Sequence, residues 1–528
     1  MVRLHAAAVI AFLGLLIAAS PLAQAQTADS GPGLIRAYCA GCHRETTPDH
    51  FERISTIRKT PEGWMMTLFR MSHVHGSRPP EEHYSVILRY LSDVQGLAPS
   101  EAAPARFALE RRPNVPDLQL EDDLQPMCAR CHTAARVVLQ RRDAGEWLKL
   151  VHFHAGQFPT IEYHASARDR FWWQKATTEL PVKLGSQYPF DTDAWRAWQT
   201  RPRSDLAGEW LVTGHTPGRG AYQGTARISQ GDGSDYVARY SLVYADGKQV
   251  EGSSKAFLYT GYEWRGSGQL GDGEVREVYA VSEDGASIKG RWFLADHNEV
   301  GGDWLAVRAG SAARILAISP AALRVGTTQT VTIFGTGLDG RVGFGPGTRV
   351  KVQERGANTL IAQVSVDADA APGYRTVTAG RASSADALAI YDRIDRVAVE
   401  PGYGIARVGG GKIAPVSAQF EVVGYLDMPA TANRAAGTIR LGVLPASWSI
   451  EPFDAQAAAA QDVRFAGSID QSGRFMPAEA GPNPQRKYSG NNVGNLSVVA
   501  RVKDGEREVQ GKSHLIVTVQ RWNTPPIY

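Results

Sequence analysis

The chain has 528 residues, 43% of them hydrophobic and 21% charged, with a formal net charge of +3. That length exceeds one ordinary domain, and the composition is that of globular units with apolar cores. Near-neutrality without a block of like charge excludes an electrostatic case for nucleic acid.

In chain order, residues 1–25 read as an export signal. Arg3 gives a modest positive end, Ala6–Ala19 is almost unbroken apolar sequence, and Ala23-Gln24-Ala25 is the small-x-small pattern of a cleavage site. A mature chain beginning at Gln26 in the periplasm is the expectation. The apolar run is shorter than the roughly 20 residues of a spanning helix, and no later stretch suits one, so no membrane span is expected.

Residues 26–110 and 111–200 read as two related α-helical modules. The four cysteines, Cys39, Cys42, Cys128 and Cys131, form two Cys-x-x-Cys pairs, each followed at once by His43 or His132. In an exported chain four cysteines first suggest two disulfides. A histidine directly after each pair points instead to two covalently bound haem c groups, with two thioethers and one axial imidazole apiece. After the first motif, Thr60 as N-cap, Pro61 at the first helical position and Trp64, Leu68 and Met71 at helical spacing predict a helix ending near Gly76. A second helix begins at Pro80-Glu81-Glu82. After the second motif, Asp143, Trp147, Leu150, Val151 and His154 repeat the pattern. Aligning Trp64 with Trp147 sets Met71 opposite His154.

A haem that only carries electrons needs a second axial ligand, usually Met or His. For the first iron Met71 leads, with His75 and His73 as alternatives; Met71 and His75 share a helical face. Beyond Cys131 the only methionines are Met428 and Met476. Unless Met65, Met66 or Met71 crosses over from the first module, the second iron therefore falls to a histidine, His154 first, then His164, with His152 also in range. No nucleophile elbow, zinc-protease motif, phosphate loop or dinucleotide fingerprint occurs. Gly402-x-Gly404 and Gly409-Gly410-Gly411 read as turn glycines.

From about residue 201 apolar and polar residues alternate, as in Tyr236-Val237-Ala238-Arg239-Tyr240, with turns such as Gly231-Asp232-Gly233. Three all-β domains follow: a barrel-like unit over 201–310, a sandwich over 311–392 and another over 393–528. Thr330-Val331-Thr332-Ile333-Phe334-Gly335-Thr336-Gly337 resembles the start of immunoglobulin-like domains, and the last unit is assigned the same immunoglobulin-like type. Asp454–Asp462 reads as a short helical insertion.

Two longer phrases carry a family resemblance. Arg58-Lys59-Thr60-Pro61-Glu62-Gly63-Trp64-x-x-Thr67-x-x-Arg70-Met71 is one; Gln157-Phe158-Pro159-Thr160-x-Glu162-Tyr163 with Arg168-Asp169-Arg170-x-Trp172-Trp173 is the other. Together with the order of parts, they resemble the α subunit of quinohemoprotein amine dehydrogenase across essentially the whole chain. The resemblance implies a periplasmic heterotrimer that deaminates primary amines oxidatively. Its partners would be a β-propeller subunit and a small subunit bearing cysteine tryptophylquinone. Electrons would leave through the two haems to a soluble cupredoxin or cytochrome c. A cysteine-derived quinone needs a cysteine, and all four here are committed to haem, so no catalytic residue is assigned to this chain. Two other classes fit part of the pattern. One is a stand-alone periplasmic di-haem cytochrome c carrier with β docking domains; the other is a structural protein with relic haem motifs.

Overall fold

Two nearly identical helix starts organise the N-terminal region. Thr60 is extended (φ −65°, ψ 164°) and its hydroxyl accepts from Gly63 N at 3.3 Å, opening the helix Pro61–Val74. Asp143 does the same for Ala144–Gln157, accepting from Glu146 N at 2.7 Å. Three residues inside each helix a tryptophan, Trp64 or Trp147, is 2% exposed. Truncating either to alanine costs about 3–5 kcal/mol by the usual penalty for a buried aromatic. The first helix stops at His75, followed by Gly76 with φ +78°, a left-handed conformation that suits glycine.

The computed structural model describes residues 29–106, 118–121, 123–158, 161–162, 166, 170–231, 235–310, 312–410, 413–430, 436–488 and 490–520. The export signal, the first mature residue Gln26, His164, and Asp232-Gly233 at the expected hairpin tip lie outside the described residues, as do several positions of the second family phrase. The expected α-helical haem region is only partly helical. Helices such as Gly31–Cys39, Pro61–Val74, Glu81–Val94 and Ala144–Gln157 alternate with two-residue ladders and extended connections. Asp49 (φ 61°) and Arg53 (φ 59°) take left-handed conformations after the first motif, which a continuous helix cannot contain.

The two modules are joined by a short antiparallel ladder, Arg58 opposite Arg141 and Lys59 opposite Gln140. Both arginines are buried and share one carboxylate. Glu101 accepts from Arg58 Nη1 at 2.7 Å and Nη2 at 2.9 Å, and from Arg141 Nε at 3.1 Å. Burial by itself would raise the Glu101 pKa; the Arg58 bonds, with help from the Ala98 N–H and Arg141, outweigh it and hold the carboxyl below its usual range.

Eight antiparallel strands, β1 (Gly208–Thr216), β2 (Gly220–Gln230), β3 (Asp235–Tyr244), β4 (Gln249–Tyr259), β5 (Glu263–Leu270), β6 (Gly273–Val281), β7 (Ser287–Leu294) and β8 (Gly301–Arg308), form a closed up-and-down barrel. Closure comes from β8 pairing with β1, Ala306 opposite Val212. Along β3 the alternation puts Tyr236, Ala238, Tyr240, Leu242 and Tyr244 inward. The barrel core also holds a carboxyl: Glu277 accepts from Tyr240 at 2.6 Å, Trp264 Nε1 at 2.8 Å and Ser254 at 2.9 Å. Burial pushes its pKa up, and three donors satisfy it without an ionic partner.

The barrel is the hub. Leu97 and Ala102 from the end of the first module, and Ala135, Val138 and Leu139 just after the second motif, belong to the same apolar core as Trp210, Tyr262 and Trp264. Downstream, two four-stranded sheets close over one core containing Val331, Phe344, Leu360 and Ile390. The last unit is built from sheets of three, four and three strands, with short helices Ala455–Ala459 and Asp462–Phe465 where a helical insertion was expected.

The barrel meets this last unit at His215, whose Nε2 lies 2.8 Å from both Glu421 carboxylate oxygens. The hydrogen bond to Glu421 leads the causes that raise the His215 pKa; Asp303 adds to it, while burial and Arg440 oppose. A raised histidine stabilises the fold fully below its unfolded pKa of about 6.5 and loses that contribution as pH rises through the folded value. In thermal unfolding, His215→Gln should therefore lower the midpoint in mildly acidic buffer and converge with the parent in alkaline buffer. A deficit equal at all pH values would mean the bond is not charge-assisted.

Candidate functional site

Both Cys-x-x-Cys-His motifs open on one cavity. Cys39 ends the helix Gly31–Cys39, and its carbonyl accepts from Cys42 N at 3.1 Å and His43 N at 2.9 Å, a tight turn that turns both thiols and the imidazole to one side. Cys128 ends the short helix Gln125–Cys128 ahead of Cys131 and His132. The cavity of about 1120 Å³ is lined by all six of these residues. Single-ligand pockets commonly enclose about 300–1,000 Å³, so this one suits a larger occupant than one small molecule. Burial pushes the thiols of Cys39 and Cys128 up to about 11 each, the opposite of the lowered pKa that marks a dithiol redox catalyst.

The imidazoles are oriented by their second nitrogen. Nδ1 of His43 lies 3.0 Å from Glu52 O, that of His132 2.9 Å from Thr133 O, and that of His154 2.7 Å from Leu150 O. Each bond assigns the proton to Nδ1 and leaves Nε2 as a lone-pair donor, the arrangement metal-bound histidines favour. The rings of His132 and His154 lie close, with centroids 6.4 Å apart and planes tilted by 37°. These two residues would be the ones to hold a single iron between them, supplying it with two imidazole nitrogens. Burial lowers the His154 pKa; the bond to Leu150 O opposes it, and repulsion from Arg70 and Arg142 adds to it, so the net shift favours the neutral ring that ligation uses.

The other candidates separate. Met71 and His75 both line the cavity, whereas the exposed His73 stacks on Phe69 at 3.7 Å and is not among the lining residues. His152 lines the cavity with its ring edge-on to Trp173 at 5.2 Å. Met66 also reaches the lining.

Sequence reasoning missed a set of cations. Lys59, Arg70, Arg136 and Arg142 line the same cavity. Lys59 is 8% exposed and its Nζ donates to Thr67 Oγ1 at 2.7 Å, with no carboxylate partner among the described residues. The Nε atoms of Arg70 and Arg136 and the indole Nε1 of Trp147 are buried without hydrogen-bond acceptors. Orphaned buried donors imply an acidic occupant. A dicarboxylate porphyrin with two vinyl groups fits this donor set: thiols, imidazoles, apolar walls and unmatched cations in one space. The signal was present as a doublet, Arg58-Lys59 and Arg141-Arg142, at the same spacing before each tryptophan.

Such a cavity, carried on a closed barrel and two further β units, defines a multidomain haem-binding protein. The chain belongs to the family of quinohemoprotein amine dehydrogenase α subunits. Models of that subunit match its haem-binding region at 29–195, domain II at 203–309, domain III at 312–392 and domain IV at 397–527. No curated protein matches the chain. Among solved structures, a redesigned β barrel, mFAP1, bound to DFHBI is 15% identical over 19% of this chain and 91% of its own, with a TM-score of 0.17. Mouse clustered PcdhgC3 EC1-3 is 12% identical over 44% of this chain and 76% of its own, with a TM-score of 0.16. Likenesses of that size add nothing to the functional argument. The family is a subunit of an amine dehydrogenase, which places the chain in an oxidoreductase with partner subunits. No helix among the described residues is long and apolar enough to cross a membrane.

Proposed function

We propose that this chain is the electron-transfer subunit of a periplasmic quinohemoprotein amine dehydrogenase, carrying two covalent haem c groups. It would take electrons from a cysteine tryptophylquinone in a small partner subunit, beside a β-propeller subunit, and deliver them to a soluble cupredoxin or cytochrome c. Cys39 and Cys42 would anchor one group and Cys128 and Cys131 the other, with His43 and His132 as proximal ligands. Met71 and His154 would complete the two irons. Haem iron so ligated supplies reversible one-electron chemistry.

The observation that carries the reading is the opening of both motifs on one cavity, which His154 also lines with its ring centroid 6.4 Å from that of His132. The chain's residues then have definable tasks. Backbone carbonyls at Glu52, Thr133 and Leu150 fix the imidazole tautomers. Trp64, Trp147 and Leu184 wall the cavity from water. The barrel holds the first module through Arg89–Asp235 at 2.8 Å and Tyr262 OH to Leu97 O at 3.1 Å.

Intact-mass measurement of the mature protein from periplasm tests this directly. Two haems on a chain starting at Gln26, in a complex eluting above the 57.2 kDa of the full chain, is the expected result. One haem or none overturns the di-haem reading, and a bare monomer favours a stand-alone carrier.

A further inference from the structure

The ladder between the modules creates a local pseudo-two-fold relation. Arg58-Lys59-Thr60 and Arg141-Arg142-Asp143 stand at equal spacing before Trp64 and Trp147, and Arg58 lies opposite Arg141. The first member of each doublet is paired with the one carboxylate of Glu101. The second members, Lys59 and Arg142, instead turn into the cavity. Their only carboxylate among the described residues is Glu146, 3.9 Å from Arg142 and committed to Lys149 at 2.6 Å. Arg70 reaches the same region from Pro61–Val74, its guanidinium 4.5 Å above the ring of Phe153, the residue equivalent to it in the second helix. Beside them the Trp147 N–H has no acceptor, whereas the equivalent Trp64 N–H is satisfied by Gln95 O at 2.9 Å.

We propose that Lys59, Arg142, Arg70 and the Trp147 indole N–H form one carboxylate cradle between the two attachment motifs, which receives the propionate groups of the bound haems. This rests on the di-haem reading above. Lys59 and Arg70 have no carboxylate partner among the described residues, and Arg142 has only the more distant Glu146 oxygen. Buried cations so placed are costly, and a carboxylate delivered by the cofactor offsets that cost. Arginine suits a carboxylate in a fork, while lysine acts as a point charge reachable from either side. The asymmetry at the two tryptophans assigns the indole bond to the second module. Lys59, on the ladder between the modules, is a positioning residue for both.

The test is spectroelectrochemical titration of the purified holo-complex, with haem counted by intact mass on the same sample. A cation beside the cofactor favours the reduced, less positive iron. Lys59→Met should retain two haems and lower at least one midpoint potential, and Lys59→Arg should stay near the parent. Arg70→Gln, at a half-buried position, should also lower a potential. It decides the matter if Lys59→Met does not fold. Trp147→Phe should keep both haems and shift the propionate mode of one in resonance Raman spectra. Potentials at parent values in Lys59→Met, or in Arg70→Gln where that stands alone, overturn the cradle. Fewer than two haems in the parent protein overturns the underlying reading instead.

Discussion

Replacing Cys128 and Cys131 together with alanine should yield a chain lighter by one haem whose second module no longer folds. The core of that module consists of Leu124, Met127, Val137, Trp147, Trp172, Ala176, Leu180 and Leu184. All but Leu124 also line the cavity. Their exposed faces therefore depend on an occupant to complete the packing, and so small a core has little else to rest on. Near-ultraviolet circular dichroism should lose tryptophan signal, and limited proteolysis should cut within 118–200 while sparing the barrel. The matching replacement of Cys39 and Cys42 should be milder structurally. The first core, around Leu34, Ile35, Phe51, Ile87 and Leu91, keeps contacts with Tyr259 of the barrel. Equal collapse of both modules would contradict this account.

His154→Ala should change the second iron alone. In the oxidised parent, low-temperature EPR and near-infrared magnetic circular dichroism should give one bis-histidine and one histidine–methionine signature. His154→Ala should convert the bis-histidine species to a high-spin or water-ligated one, and Met71→Ala should remove only the methionine signature. The effect is large because an axial ligand is a main lever on a potential range of about 0.8 V in haem proteins. Two bis-histidine signatures in the parent would pass the first iron to His75, which lines the cavity. His73 would first have to leave its stack on Phe69.

Local physics made much of this legible. Thr60-Pro61 and Asp143 announce helix starts because a capping oxygen and a prearranged φ act within four residues. The period-two pattern of Tyr236, Ala238 and Tyr240 marks a half-buried strand. The sequence does not reveal that eight such strands close on themselves, since closure depends on the pairing of Ala306 with Val212. At the site, Cys-x-x-Cys-His is contiguous and easily read. The nearness of the His132 and His154 rings could be reached only through the alignment of the two tryptophans. The cations escaped notice because Lys59 and Arg142 look like ordinary surface charge until the ladder buries them. The non-helical stretch around Asp49 and Arg53 was also unreadable, as neither residue type enforces a left-handed conformation.

Glu101 bears on how this molecule could be divided. A single carboxylate serves Arg58 from one module and Arg141 from the other, and all three side chains are almost fully shielded from water. Cutting the chain between the motifs would leave one half with an arginine whose counter-charge has gone to the other. Stranding a buried charge in this way costs about 3–5 kcal/mol, a large part of the stability of a small domain. Although the sequence repeats, the two repeats are tied through one buried carboxylate. A cut between the motifs would therefore fall hardest on the half that keeps Arg141, and the first repeat would travel with Glu101 as its own counter-charge.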